Sequence, residues 1–228
     1  MFTFKNFLIN FLLLLSMISL LFTQEMAHPF SVNDLVMLDR ISDPVVTPDG
    51  KRIVFVVRST DMEANRGRKD LWTVDTDGKN LRQLTTHPDN DSDPAWHPDG
   101  KSVWFISSRS GSSQIWQLDL KSGKESQVTD LPLKVSNLMV SPDGKSLAFT
   151  VMVYPGLSIE ETRTKLDEIA QKPYNGRVYD KLPVRHWDSW KDGRRSHLFV
   201  MPVTGGLAVD VMKDMDTDTP SQPFGDTQ

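Results

Sequence analysis

The chain has 228 residues, 38% of them hydrophobic, with a formal net charge of −4 and no cysteine. That length holds one ordinary domain or two small ones. The interspersed acids and bases leave no electrostatic footprint for nucleic acid. The absence of Cys excludes disulfides, thiolate nucleophiles and lipid-modified cysteines.

Lys5 is the only charge before Glu25, and Phe7 to Phe22 is almost purely apolar. Such a run is short for a membrane span but ordinary for the core of a secretory signal. The expectation is a signal peptide over residues 1–26, cut near Thr23 to Ala27, with an uncleaved anchor as the alternative. Cleavage leaves no stable membrane span and a periplasmic or secreted product. Residues 30–41 read as a strand or a linker.

From there the chain repeats itself. Pro-Asp-Gly occurs at Pro48-Asp49-Gly50, Pro98-Asp99-Gly100 and Pro142-Asp143-Gly144, spaced by 50 and 44 residues. Pro pre-sets a turn, Asp accepts a backbone N–H, and Gly takes the positive φ that closes it. Each copy is followed by Lys and a β-favouring run: Ile53 to Val57, Val103 to Ile106, and Leu147 to Val151. Asp43-Pro44 and Asp93-Pro94 precede short lead-in strands, and Asn137 to Val140 takes that place in the third copy. A third strand carries an aromatic at one register, Trp72, Trp116 and Phe199, and a last strand follows a Gly-containing turn. Four short strands in about 40 to 50 residues make a propeller blade. A β-sandwich would show many short strands but not this repeated turn-and-aromatic register. The aromatics are read as core.

The expected fold is all-β: an incomplete β-propeller over residues 27–228. Its blades span about 42–86, 91–130 and 136–212, with a partly helical insertion at 155–196 in the third. A further blade begins at 219–228. Complete propellers have typically four to eight blades. Three leave an edge unpaired, so a fragment is expected, the rival being a small open propeller completed by oligomerisation.

The insertion begins as a helix. Ser158 caps it with Glu161 as capping-box partner. Ile159, Leu166, Ile169 and Ala170 form its apolar stripe, Glu161 and Lys165 stand at i,i+4, and Pro173 stops it. The second half is dense in charge and aromatics: Arg185, His186, Trp187, Asp188, Trp190, Asp192, Arg194, Arg195 and His197. Asp188 or Asp192 is expected to pair with a nearby Arg, and the Trp rings to pack the insertion down. Asp214, Asp216 and Asp218 resemble the start of a calcium loop, but Thr219-Pro220 stand where its Gly and later ligands belong. A solvated acidic turn is the simpler reading. Glu160 and Glu161 are adjacent acids able to hold a peptide amino terminus, although capping already uses one. No G-x-S-x-G, H-E-x-x-H, phosphate loop or dinucleotide glycine pattern occurs. No catalytic residue, cofactor or metal is assigned.

Ser141-Pro142-Asp143-Gly144-Lys145 with Leu147-Ala148-Phe149, and Leu182 through Trp190 to Val200, carry a resemblance. The chain resembles the N-terminal portion of an exported serine peptidase of the prolyl oligopeptidase family, in its dipeptidyl-peptidase and acylaminoacyl-peptidase branches. The Pro-Asp-Gly repeat is shared with translocation-associated periplasmic propellers; the Arg185-His186-Trp187-Asp188 stretch is more specific. The resemblance implies a propeller that caps an α/β-hydrolase domain and admits short peptides. A Ser-Asp-His triad in that domain would cleave them. None of the triad maps onto this chain. Its expected partners are a short peptide substrate and the missing hydrolase domain. Arg185, His186, Trp187, Asp188 and Trp190 are the candidate substrate-side or interdomain contacts. A non-enzymatic periplasmic binding propeller stands as the alternative.

Overall fold

The computed structural model describes residues 28–179, 185–186 and 189–220. The expected signal peptide and residues 221–228 lie outside the described residues. The chain divides after Leu38 into two units. In the first, helix α1 (Val32–Met37) stands where a strand is one of the two expectations, the other being a linker. Its start explains the correction. Asp34 N–H donates to Ser31 Oγ, and Ser31 N–H donates back to the Asp34 carboxylate at 2.6 Å. This capping box satisfies N–H groups that an extended strand would have left to water. Among the described residues no helix is long and apolar enough to cross a membrane.

The second unit is all-β. Strands β1 (Arg40–Val46), β2 (Arg52–Asp61), β3 (Arg66–Asp75) and β4 (Arg82–Gln83) form one antiparallel meander. Strands β5 (Asp91–Trp96), β6 (Ser102–Ser107), β7 (Gln114–Asp119) and β8 (Glu125–Gln127) form a second. The third sheet joins β9 (Val135–Val140), β10 (Ser146–Val153), β13 (Arg195–Pro202) and β14 (Val209–Asp210). Between β10 and β13 lie helix α2 (Ile159–Ala170) and the hairpin β11 (Arg185–His186)–β12 (Ser189–Trp190). These are propeller blades.

The Pro-Asp-Gly turns join the first two strands of each blade. Gly50, Gly100 and Gly144 have φ of +72°, +67° and +69°, a region open to Gly at no steric cost. The Gly N–H closes each turn onto the carbonyl of Thr47, His97 or Ser141. The Asp side chain accepts the following Lys N–H at 2.9–3.1 Å. Hydroxyl hydrogen bonds from Thr47 and Ser141 hold the Asp49 and Asp143 carboxyls below their usual range. The same turns staple neighbouring blades. Arg52 donates to the Gly100 carbonyl at 2.7 Å, and His97 Nε2 reaches the Gly144 carbonyl at 3.2 Å.

Two apolar seams lie between the blades. Val54, Val56 and Leu71 meet Trp96, Val103, Phe105 and Leu118 in the first. Trp104, Ile106 and Ile115 meet Leu147, Phe149, Val151, Phe199 and Met201 in the second, where Ile159 of α2 joins them. The Trp96 indole also donates to the Val45 carbonyl. Phe199 is deeply buried, whereas Trp72 and Trp116 are half-buried. Each innermost strand carries a bulge at a left-handed residue: Asp43, Asp93 and Asn137, with φ of 53°, 51° and 55°. Asp and Asn tolerate this region better than other side chains.

The outer strands are short, and a side-chain clasp supports them. The Leu71 and Ile115 N–H groups donate to the hydroxyls of Thr85 and Thr129, both buried. In the third blade the Leu198 N–H finds Met212 sulfur instead. Beside the first seam, Arg109 binds fully buried Asp91 at 2.7 Å, pairs with Glu125, and lies 4.9 Å from the Trp116 ring centroid.

Two substitutions test this account by chemical denaturation. Thr129→Val strands the buried Ile115 N–H and is expected to cost about 1–3 kcal/mol. Gly144→Ala is expected to cost at least about 1–2 kcal/mol. It should exceed Gly123→Ala, because a Cβ at Gly144 would stand 2.6 Å from His97 Nε2 and one at Gly123 meets nothing.

Candidate functional site

The insertion in the third blade pivots on Tyr154, the first residue after β10. Its side chain is buried. Its N–H donates to Thr162 Oγ1 at 3.2 Å, and Lys165 Nζ lies 3.8 Å from its ring centroid. Gly193, on the returning chain at φ +89°, would place a Cβ 3.5 Å from the ring. Burial, then the nearby Asp192 charge, push the phenol's pKa up.

Helix α2 starts at the expected capping box. Glu161 N–H donates to Ser158 Oγ at 3.1 Å, and Ser158 N–H to the Glu161 carboxylate at 2.8 Å. These bonds hold the Glu161 carboxyl below its usual range. The apolar stripe is narrower than the sequence suggests. Ile159 and Thr162 are buried and Leu166 partly so, whereas Ile169 and Ala170 are exposed. Only the start of the helix rests on the seam, and Thr162 belongs there because its hydroxyl receives the Tyr154 N–H. Lys165 turns to Tyr154 rather than Glu161, and the i,i+4 pair is Arg163–Asp167. A groove of about 410 Å³ runs along Glu160, Glu161, Thr164, Lys165 and Glu168.

Beyond α2, Tyr179 stacks on Trp190 with centroids 6.0 Å apart, and the Arg185 guanidinium lies 5.4 Å from the other ring's centroid at Trp190. Arg185 and Trp190 are direct partners across the β11–β12 ladder, and His186 pairs with Ser189. Cross-strand placement of this kind brings a long side chain over an aromatic one. Trp190 remains 55% exposed. For Trp190 this corrects the expectation that the Trp rings pack the insertion down: it is braced from its sides and open to solvent. Trp187 and Asp188 lie outside the described residues. Of the five candidate contacts, the structure therefore brings Arg185 and Trp190 together and places the His186 backbone beside them.

Salt bridges fix the return to β13. Asp192 pairs with Arg194 at 2.7 Å, as the sequence led one to expect. Burial pushes the Asp192 carboxyl up, but hydrogen bonds from the Arg194 side chain and backbone prevail and hold it low. Asp216 pairs with Arg195 at 2.7 Å, and Asp218 accepts the Ser196 N–H. These acids are tied to β13 rather than simply solvated. Tyr154 and Tyr179 were missed by sequence reasoning. Their only signal was an aromatic at each flank of the helix, too common to single out.

The site can present a cation and an indole face side by side, and it offers no nucleophile with a neighbouring base among the described residues. Tyr154→Ala is expected to cost about 3–5 kcal/mol, the range for emptying a buried aromatic site. Trp190→Ala should cost about 1–2 kcal/mol, since an exposed aromatic pair and the Arg185 contact are all that is lost. Chemical denaturation of both variants measures the difference.

Comparison with known proteins adds relatives. Dipeptidyl-peptidase 5 of Porphyromonas gingivalis is 35% identical over 190 residues, covering 82% of this chain and 27% of that protein. Dipeptidyl-peptidase 5 of Porphyromonas endodontalis is 27% identical over 197 residues, covering 84% of this chain and 27% of that protein. The chain thus spans about a quarter of the length of these curated relatives. The structure of Pyrococcus horikoshii acylaminoacyl peptidase superposes with a TM-score of 0.59 at 16% identity, covering 77% of this chain and 25% of that one. At that identity the likeness is one of fold. The TolB beta propeller domain matches residues 37–171, more than half of the chain, and the chain belongs to that family.

Proposed function

We propose that this propeller is the substrate-gating portion of an exported serine exopeptidase of the prolyl oligopeptidase family. That enzyme hydrolyses short peptides in the manner of dipeptidyl- or acylaminoacyl-peptidases. One observation carries the reading: the 35% identity to dipeptidyl-peptidase 5 extends over 82% of the chain. A stretch of that length cannot end at residue 171, where the domain match stops. It must include part of the insertion that distinguishes this propeller from a plain repeat.

In this reading the bond-breaking groups belong to a hydrolase domain of the full protein. Its serine attacks the peptide carbonyl and its histidine moves the proton. The propeller limits entry to short peptides. The Arg185–Trp190 hairpin offers a guanidinium and an indole face to the substrate or to the hydrolase domain, groups suited to carboxylates, carbonyls and apolar side chains. The apolar run at Phe7 to Phe22 supports export to the periplasm or beyond.

A second reading, a periplasmic binding propeller without catalysis, is favoured by the family match, whose description is of a TolB beta propeller domain. Immunoprecipitation of the native product from its source cells separates the two. A product about three times this chain's length is expected, as the shares covered in the relative imply. It should release dipeptides or acylated amino acids from short peptides and lose that activity to a serine-directed phosphonate. A product no longer than this chain, without peptidase activity, overturns the proposal and leaves the binding module.

A further inference from the structure

We propose that His197 is a protonation-controlled clasp on the outer edge of the third blade: its imidazolium ties β13 to β14 and to the segment that follows, and loss of the proton frees that edge. The ring is fully buried. Nδ1 lies 2.8 Å from the Asp210 carboxylate, and Nε2 lies 2.9 Å from the Met215 carbonyl oxygen. Both partners are acceptors. A neutral imidazole has one N–H, so it can serve one of them and must turn a lone pair toward the other. The deserted oxygen then loses its donor from the protein.

The ring matters to this edge because its strand pairing is short. Strand β14 contributes two residue pairs to the sheet, Phe199↔Asp210 and Val200↔Val209. Where the first two blades close this edge with Thr85 and Thr129 hydroxyls, the third offers Met212 sulfur at 3.4 Å, a weak acceptor. The other ties are the Val211 N–H to the Leu198 carbonyl, the Gly156 N–H to the Lys213 carbonyl at 2.7 Å, the Arg195–Asp216 pair, and Ser196 to Asp218 and Thr219.

The repeat shows what a non-titrating residue does at the same place. His197 precedes Leu198 and Phe199 as Gln114 precedes Ile115 and Trp116. Gln114 is buried too; its amide donates to the Leu131 and Leu133 carbonyls and accepts from Thr129 and from the Leu131 N–H. The second blade is thus clasped by an amide that does not titrate, and the third by a ring that can bind or release a proton.

The charged groups around the ring come from three elements. Arg195 stands on β13 and is engaged by Asp216. Asp210 stands on β14. Lys213, Asp214, Asp216 and Asp218 lie in the segment after it. On β10 the facing partner is Val151, which is uncharged. Among the described residues Asp210 is the one ionisable group hydrogen-bonded to the ring. The sign follows from the bonds. The clasp is complete while both ring nitrogens carry a proton and is lost when one gives its proton up.

Backbone hydrogen exchange of residues 209–216 in the full chain tests this, corrected for intrinsic rates and referenced to β6. Protection is expected to fall about tenfold between about pH 5.5 and about pH 8.5, the factor for one buried hydrogen bond. In His197→Gln it should stay flat. Nitrogen NMR of the ring should show both nitrogens protonated at the acid end and one at the alkaline end. Should His197→Gln fail to fold, Asp210→Asn is expected to lower protection at the acid end to the wild-type alkaline level. Flat protection in the wild type, an equal slope in His197→Gln, or a ring that keeps one protonation state throughout overturns the proposal.

Discussion

The glycine carbonyl at the tip of the second and third Pro-Asp-Gly turns joins each of those blades to the one before it. Left-handed backbone at Gly100 and Gly144 accompanies carbonyls that accept Arg52 and His97 from the preceding blade. The turn therefore acts twice: it folds its own hairpin and it sets the spacing of its neighbour. Once that spacing is fixed, Phe105 and Phe149 face the preceding blade and the apolar seams close. Burial of such side chains is worth about 1.5–3 kcal/mol each, but it is non-directional. The turn bonds supply the register that burial alone does not choose.

Much of this was legible because the repeat writes its instructions locally. Pro-Asp-Gly states a turn, and the β-favouring runs after it lie in β2, β6 and β10. Ser158 and Glu161 state a helix start, and both reciprocal bonds are present. What stayed hidden depends on tertiary contact. Asp43 and Asp93 read as standing ahead of the lead-in strands, yet they sit in bulges within strands. Ser31 and Asp34 spell a capping box too short to stand out in a sequence. The buried face of α2 includes Thr162 because of a hydroxyl bond to Tyr154, which no hydrophobic period can announce.

The candidate site divides along the same line. Its charged composition was visible, and the Asp192–Arg194 pair lies two residues apart in the chain. The ladder of Tyr179, Trp190 and Arg185 was not, because Tyr179 reaches it across eleven residues of chain. Trp190 held open to solvent differs physically from a core tryptophan. Its faces are pre-ordered by neighbours, so a ligand meeting it would pay little further side-chain entropy.

The bulges at Asp43, Asp93 and Asn137 also act as a filter on genetic drift. Positive φ excludes β-branched and bulky side chains there, while neighbouring strand positions accept many residues of the right polarity. A lineage carrying this repeat can therefore rewrite most of its inner strands and still keep its shape. At three points it is confined to Asn, Asp or Gly.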